Sequence, residues 1–356
     1  MFLQFLVFEI KYRLARVSTY VYFALWFFVT FFSIAANNFG PIGTGKVFLN
    51  GPFALSTYYV QLTMFGTFVI SALFGTAALR DFQEDTYALL FTKPISKFAY
   101  LGGRWAGSVI VSILVFSGLL LGAFTGSLMP WVDGERLMAN NLWYYLQPFL
   151  SLTVVQILFL GSVFFAVGAL TRRLMIVYLQ GVVLFGIYLI ASIWVLTSQN
   201  LDTFWPSVLD PLGMVLFNST TKYWSVAEKN SQLLGWEGAF LYNRLLWLCA
   251  GIVSLAVTWL RFPMSAEALT ARGRRRHLVP VQEEAPVQAP VRLRRDSVTQ
   301  VFNGGTVRAQ FRSLTSMRFA NIVREVPFWG IVLLMIMIAG INALTPGECI
   351  KRVSGP

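Results

Sequence analysis

The sequence predicts an all-α, polytopic membrane protein: a bundle of six membrane-spanning helices with one extra C-terminal span. Two observations carry that prediction. Hydrophobic residues make up 56% of the 356-residue chain and charged residues only 12%, about half the roughly 25% charged share of an ordinary soluble domain. Seven apolar stretches lie near residues 18 to 36, 56 to 79, 105 to 129, 146 to 170, 174 to 197, 240 to 260 and 327 to 345. Crossing a bilayer core of about 30 Å takes roughly 20 helical residues, which these stretches supply.

Ahead of the first span, in residues 1 to 17, Glu9, Arg13 and Arg16 share one helical face while Leu3, Leu6, Ile10 and Leu14 share another. That pattern predicts an amphipathic helix lying on the membrane surface. Its positive residues follow the apolar stretch and no small-residue cleavage site comes after, unlike a signal peptide. Lysines and arginines then set the orientation. Over the short connecting segments, nine lie on the side of the N-terminus and five on the other, so the positive-inside rule places the N-terminus in the cytoplasm. The net charge of +12 is on this reading mostly topology, and it implies no nucleic-acid partner.

Of the outer connections, the first two read as simple turns rich in glycine and proline. The third, residues 198 to 239, is long and carries Trp205, Trp224 and Trp236, so it is expected to fold back onto the membrane surface in short helices. Arg244, near the start of the sixth span, is expected to snorkel to the headgroups. Residues 18 to 262 thus form the six-span domain. A basic, proline-containing cytoplasmic linker follows at 263 to 307, where Arg274, Arg275 and Arg276 read as a topology signal. Residues 308 to 356 repeat the N-terminal grammar, a basic helix and then an apolar span, as the start of a second, incomplete membrane unit. Within the spans, Gly66, Gly75, Gly107, Gly161 and Gly168 suit close helix approach, and Gln61, Gln156 and Gln180 suit pairing between helices.

Residues 80 to 104, RDFQEDTYALLFTKPISKFAYLGGR, interrupt the apolar chain on the cytoplasmic side. Asp81 and Glu84 have the spacing of a capping box, Lys93 suits a helix C-terminus, and Pro94 stops further helix. The spacing predicts a stiff helix of about three turns over 81 to 92, hung beneath two spans, able to pass force from a soluble partner into the membrane.

Chemistry is sparse. The single histidine, His277, rules out an H-E-x-x-H zinc site in these residues, because that motif needs two imidazoles one turn apart. No G-x-x-x-x-G-K-[ST] phosphate loop occurs either, so the chain is read as neither an ATPase nor a metallopeptidase, with no catalytic, metal or cofactor residue. No ionisable residue sits near a span midpoint, where a proton- or ion-coupled carrier needs one. Cys249 and Cys349 form no disulfide framework or C-x-x-C pair.

The order R-D-x-x-x-D-T-x-x-L-L-x-T-K-P-I-S-K-x-x-Y-L-x-G-R resembles the coupling-helix loop of the type-2 permease family of ABC transporters. Asp85 stands where that family usually has glycine. The resemblance covers the first 260 residues, and TKYWSVAEKN (221 to 230) and NRLLW (243 to 247) are similar to permeases fused to a zinc aminopeptidase. It implies a six-helix permease unit that moves a substrate by alternating access, partnered by a second permease unit. It also implies a cytoplasmic ATPase that holds ATP and magnesium and docks on Asp81, Glu84, Asp85, Thr86, Lys93, Pro94 and Ser96, in a bacterial inner membrane. In those fusions a complete second unit and the peptidase follow, so a chain truncated from a longer protein is expected. The alternative reading is a membrane anchor or scaffold for an associated or fused peptidase, without transport.

Overall fold

The computed structural model describes residues 1–36, 46–84, 86–197, 203–264 and 304–324. They fall in two units, Met1–Phe262 and Pro263–Pro356. Six helices of the first unit are long and apolar enough to cross a membrane, as an all-α polytopic fold requires. The seventh predicted span, 327 to 345, lies outside the described residues, as do His277, Cys349 and the arginine run 274 to 276.

Helix α1 (Phe2–Leu14) precedes the first span, α2 (Val17–Ala35). Next comes α3 (Pro52–Gln83), a helix of 32 residues and hence about 48 Å long at ~1.5 Å per residue. It overruns the predicted span at both ends. Pro52 suits a first helical turn, where its missing N–H is needed by no partner, and Arg80 and Asp81 find partners that let the helix run on. A short α4 (Tyr87–Phe91) leads to α5 (Lys97–Ser127). The fourth span runs Leu142–Thr171, as α6 (Leu142–Pro148), a π-helical turn at Phe149–Val154, and α7 (Val155–Thr171). Pro148 has no N–H to give the preceding turn, and the wider π turn takes up the disrupted ladder. Arg172, in the left-handed region at φ 55°, ends α7 and turns the chain into α8 (Leu174–Thr197).

At the head of the bundle, opposite the N-terminus, the third outer connection forms α9 (Phe204–Val208), α10 (Met214–Thr221) and α11 (Val226–Ser231) before α12 (Gly238–Arg261). A small core of Val60, Leu152, Leu216, Phe217, Leu234 and Phe240 seats these helices on the spans, with Trp224 packed against it. The first two outer connections are more than turns. Asn230 accepts from Phe48 N at 2.9 Å and donates to the Lys46 carbonyl at 2.9 Å, while Asn50 donates to Met138 O at 2.7 Å and Asn140 Oδ1 at 3.0 Å. Arg244 does not snorkel. It is 3% exposed and turns inward, its guanidinium lying where a side chain on Gly213 would stand. Gly213 has φ +87°, so the Arg244 site and the backbone both call for glycine there.

The helices meet at small residues. A methyl group at Gly122 of α5 would fall 2.2 Å from the Phe27 carbonyl of α2, and one at Gly161 of α7 would fall 2.4 Å from the Phe74 ring of α3. Hydroxyl and amide groups join the same spans, with Thr63 and Thr153 hydroxyls 3.0 Å apart and Gln156 Nε2 donating to Thr63 O at 3.4 Å. In the second unit, α13 (Gly304–Arg324) is a basic helix on which Val307, Phe311 and Leu314 recur at helical spacing, all exposed.

Candidate functional site

Five charged side chains gather at the base of the bundle, the end that carries the N-terminus. Glu9 of α1 is fully buried. Its carboxylate accepts from Arg13 Nε at 2.6 Å, from Arg80 Nη2 at 2.6 Å and from Arg104 Nη1 at 3.3 Å. Arg104 Nη2 also donates to Asp81 Oδ1 at 2.6 Å, and the Tyr100 hydroxyl donates to Asp81 Oδ2 at 2.7 Å. The network ties α1 to α3 and α5. Arg13 reaches further, to the Leu73 carbonyl and to Ser108 Oγ. The Arg80 guanidinium stacks 3.8 Å from the centre of the Tyr12 ring.

This helix enters the bundle where α5 lacks side chains. A methyl group at Gly107 would lie 2.7 Å from Glu9 Cβ, and one at Gly103 would lie 2.6 Å from Phe5 Cβ. The approach brings a carboxylate deep among guanidinium groups. Burial pushes the Glu9 carboxyl up, but the charges of Arg13, Arg80 and Arg104 outweigh it and hold the group below its ordinary 4.5. At Arg13 burial wins, and its pKa is lowered despite the neighbouring Glu9.

Beneath α3 and α5 the chain turns through α4. Phe82, Phe91 and Tyr100 pack round Phe262 at the end of α12, so the α4 turn is held by aromatic contacts from three spans. A cavity of about 630 Å³ opens between this turn and α1, lined by Phe5, Phe8, Thr86, Leu90, Lys93 and Pro94, with Asp81 and Arg104 behind them. Leu89, by contrast, stands 72% exposed on the outer side of α4.

The predicted docking residues divide accordingly. Thr86, Lys93 and Pro94 are exposed and line the cavity, and Glu84 is exposed at the end of α3. Ser96 caps α5, its Oγ accepting from Ala99 N at 3.2 Å. Asp85 lies outside the described residues. Asp81 does not cap a helix: it lies inside the last turn of α3, 7% exposed, with its carboxylate taken by Arg104 and Tyr100. The three-turn helix predicted over 81 to 92 is therefore corrected to the five residues of α4, because α3 absorbs Asp81, Phe82 and Gln83. A second correction concerns α1: of its predicted charged face, Glu9 and Arg13 turn into the bundle, while Arg16 stays exposed.

Sequence reasoning missed Glu9, Arg13, Arg80 and Arg104 as one constellation. The available signal was Glu9, an acid four residues before Arg13 in a mostly apolar helix. Such a residue needs a buried partner if its helix sits against apolar neighbours. Among the described residues no cluster of three His, Cys, Asp or Glu side chains can hold a metal ion. Comparison with protein-family models, curated proteins and solved structures returns no match for this chain.

Proposed function

We propose that this chain is the membrane-spanning permease subunit of an ATP-driven transporter, with the α4 turn as the docking point for a cytoplasmic ATPase. The observation that carries the reading is mechanical. A one-turn helix, seated through Phe91 on Tyr100 and Phe262 at the base of the bundle, joins two supports, α3 and α5, that are clamped by Arg104 and Asp81 and wedged by α1. Movement of α4 therefore passes to three helices at once. Exposed Leu89, Thr86 and Lys93 supply an apolar contact with polar flanks, as a protein interface needs. A second copy of the bundle completes the pathway, ATP and magnesium belong to the ATPase, and the N-terminus faces the cytoplasm of a bacterial inner membrane.

Docking is tested at the exposed residues, since Asp81 is structural. Leu89→Asp combined with Lys93→Glu leaves the buried network untouched and should abolish co-purification of an ATPase subunit from solubilised membranes. Unchanged thermal stability must accompany that loss. Undiminished association of the ATPase with the doubly substituted chain overturns the docking assignment and leaves the anchor reading in its place.

A further inference from the structure

A second cavity, of about 300 Å³, opens on the other side of the charge network, where the end of α1 meets the first turn of α2, the last turns of α3 and the start of α8. Arg13, Arg16 and Arg80 line it, with Tyr12, Thr19 and Thr76 between them. Glu84 is the one carboxylate on its wall, beside the further phenols of Tyr22 and Tyr178.

The network behind this cavity is short of negative charge. Three guanidinium groups, those of Arg13, Arg80 and Arg104, face two carboxylates, those of Glu9 and Asp81. Both Glu9 oxygens are already engaged. Arg80, 9% exposed, keeps its Nη1 buried with no acceptor. A charged donor left without a partner costs more than an ordinary lost hydrogen bond, and a buried ion cluster of one net sign calls for a counter-ion. Arg16 adds another cation at the rim, its guanidinium 4.6 Å from the centre of the Tyr12 ring and donating to the Tyr12 hydroxyl.

Place selects the anion. Ser18 and Thr19 on the cavity wall belong to the first turn of the first span, and immediately beyond them α2 exposes Tyr20, Val21, Leu25 and Phe28. Here a cationic pocket meets an apolar, lipid-facing helix, the level at which a phospholipid carries its phosphate.

We propose that this cavity binds the phosphate of an anionic phospholipid, with Arg80 and Arg16 donating to its oxygens and the acyl chains lying along α2. The site does not require the transporter reading, since it rests on the network and on α2 alone. A free phosphate offers the same oxyanion, so the test separates the two sources.

The protein is purified and placed in phosphatidylcholine nanodiscs, then titrated with phosphatidylglycerol or with inorganic phosphate. Native mass spectrometry after release into detergent counts what stays bound. One phosphatidylglycerol should be retained per chain. Arg16→Gln, an exposed residue outside the Glu9 pairs, should weaken retention by about tenfold, the loss of roughly one charge-assisted contact. Lys11→Gln, exposed on α1 but outside the cavity, should change nothing. Equal losses from both substitutions, or from neither, overturn the site in favour of diffuse attraction. Displacement of the lipid by inorganic phosphate at matching concentration overturns the lipid as occupant.

Discussion

Glu9 is the single residue on which the base of the bundle turns. It is the only carboxylate that Arg13 and Arg80 contact in the network, and Arg104 shares it with Asp81. A buried ion cluster is weak evidence of net stabilisation, yet removing one partner leaves charges stranded at a cost of about 3–5 kcal/mol. Glu9→Gln should therefore lower stability by that order, read as a fall in thermal midpoint in detergent. Adding Arg13→Gln removes one stranded charge, so the double variant should recover part of the loss; a purely additive result would show that Glu9 acts by shape and not by charge. The pH dependence has a definite sign. Because the folded carboxyl is held below its ordinary value, its stabilisation is complete above that value and is lost as pH falls through the folded pKa. The gap between wild type and Glu9→Gln should stay constant between about pH 8 and pH 6 and close only in acid well below that range. A gap that closed near neutrality would contradict the assignment.

At the scale of elements, α1 sits against α5 by close backbone approach as well as by the rings of Phe2 and Phe5. A methyl group at Gly107 meets Glu9 Cβ at 2.7 Å and the Leu6 carbonyl at 3.2 Å, neither of them the flexible end of a side chain. Gly107→Ala should cost about 1–3 kcal/mol as overpacking. Gly107→Leu should detach α1 altogether, seen as rapid protease cleavage before Val17 in a bundle whose spans stay protected. Cleavage no faster than in the wild type would mean that α1 docks without the Gly107 notch. The sequence made Gly107 legible as a point of close approach and α1 legible as amphipathic, but it pointed the helix the wrong way. Amphipathicity was read against water. Around a membrane bundle the outer medium is apolar, so Leu3, Val7 and Phe8 are exposed while Glu9 and Arg13 are buried. Asp81 departs from its expected role for a related reason. A helix cap and a buried ion pair use the same carboxylate, and the partner that decides between them, Arg104, lies 23 residues on in the sequence, beyond α4 and inside α5. The six spans were legible because a bilayer demands length and hydrophobicity, which are local properties. The network was not, because its members come from three helices and its geometry exists only once they pack.

At the largest scale, the described residues of the first unit are stitched together at its head and leave cavities at its base. The outer connections bind one another through Asn50 and Asn230, and Gln147 Nε2 donates to Leu234 O at 2.8 Å, whereas the two cavities described above sit at the N-terminal end. If the bundle works by alternating access, the head must part at some point in each cycle, since a bistable protein changes state through its interfaces. The contact between Phe48 and Asn230, a backbone N–H held by a side-chain oxygen at 2.9 Å, marks where it would part. Cysteines at these two positions, in a background with Cys249 and Cys349 changed to serine, can be joined by a short bis-thiol crosslinker that carries a reducible bond. Locking the head in this way should leave ATPase association intact, because α4 lies at the other end, and should suppress ATP turnover by the assembled complex until reductant is added. An anchor that never opens would behave differently: the crosslink would form as readily and turnover by the bound ATPase would not respond to it. The lock thus separates a bundle that moves from one that only holds, and it does so without knowledge of the substrate.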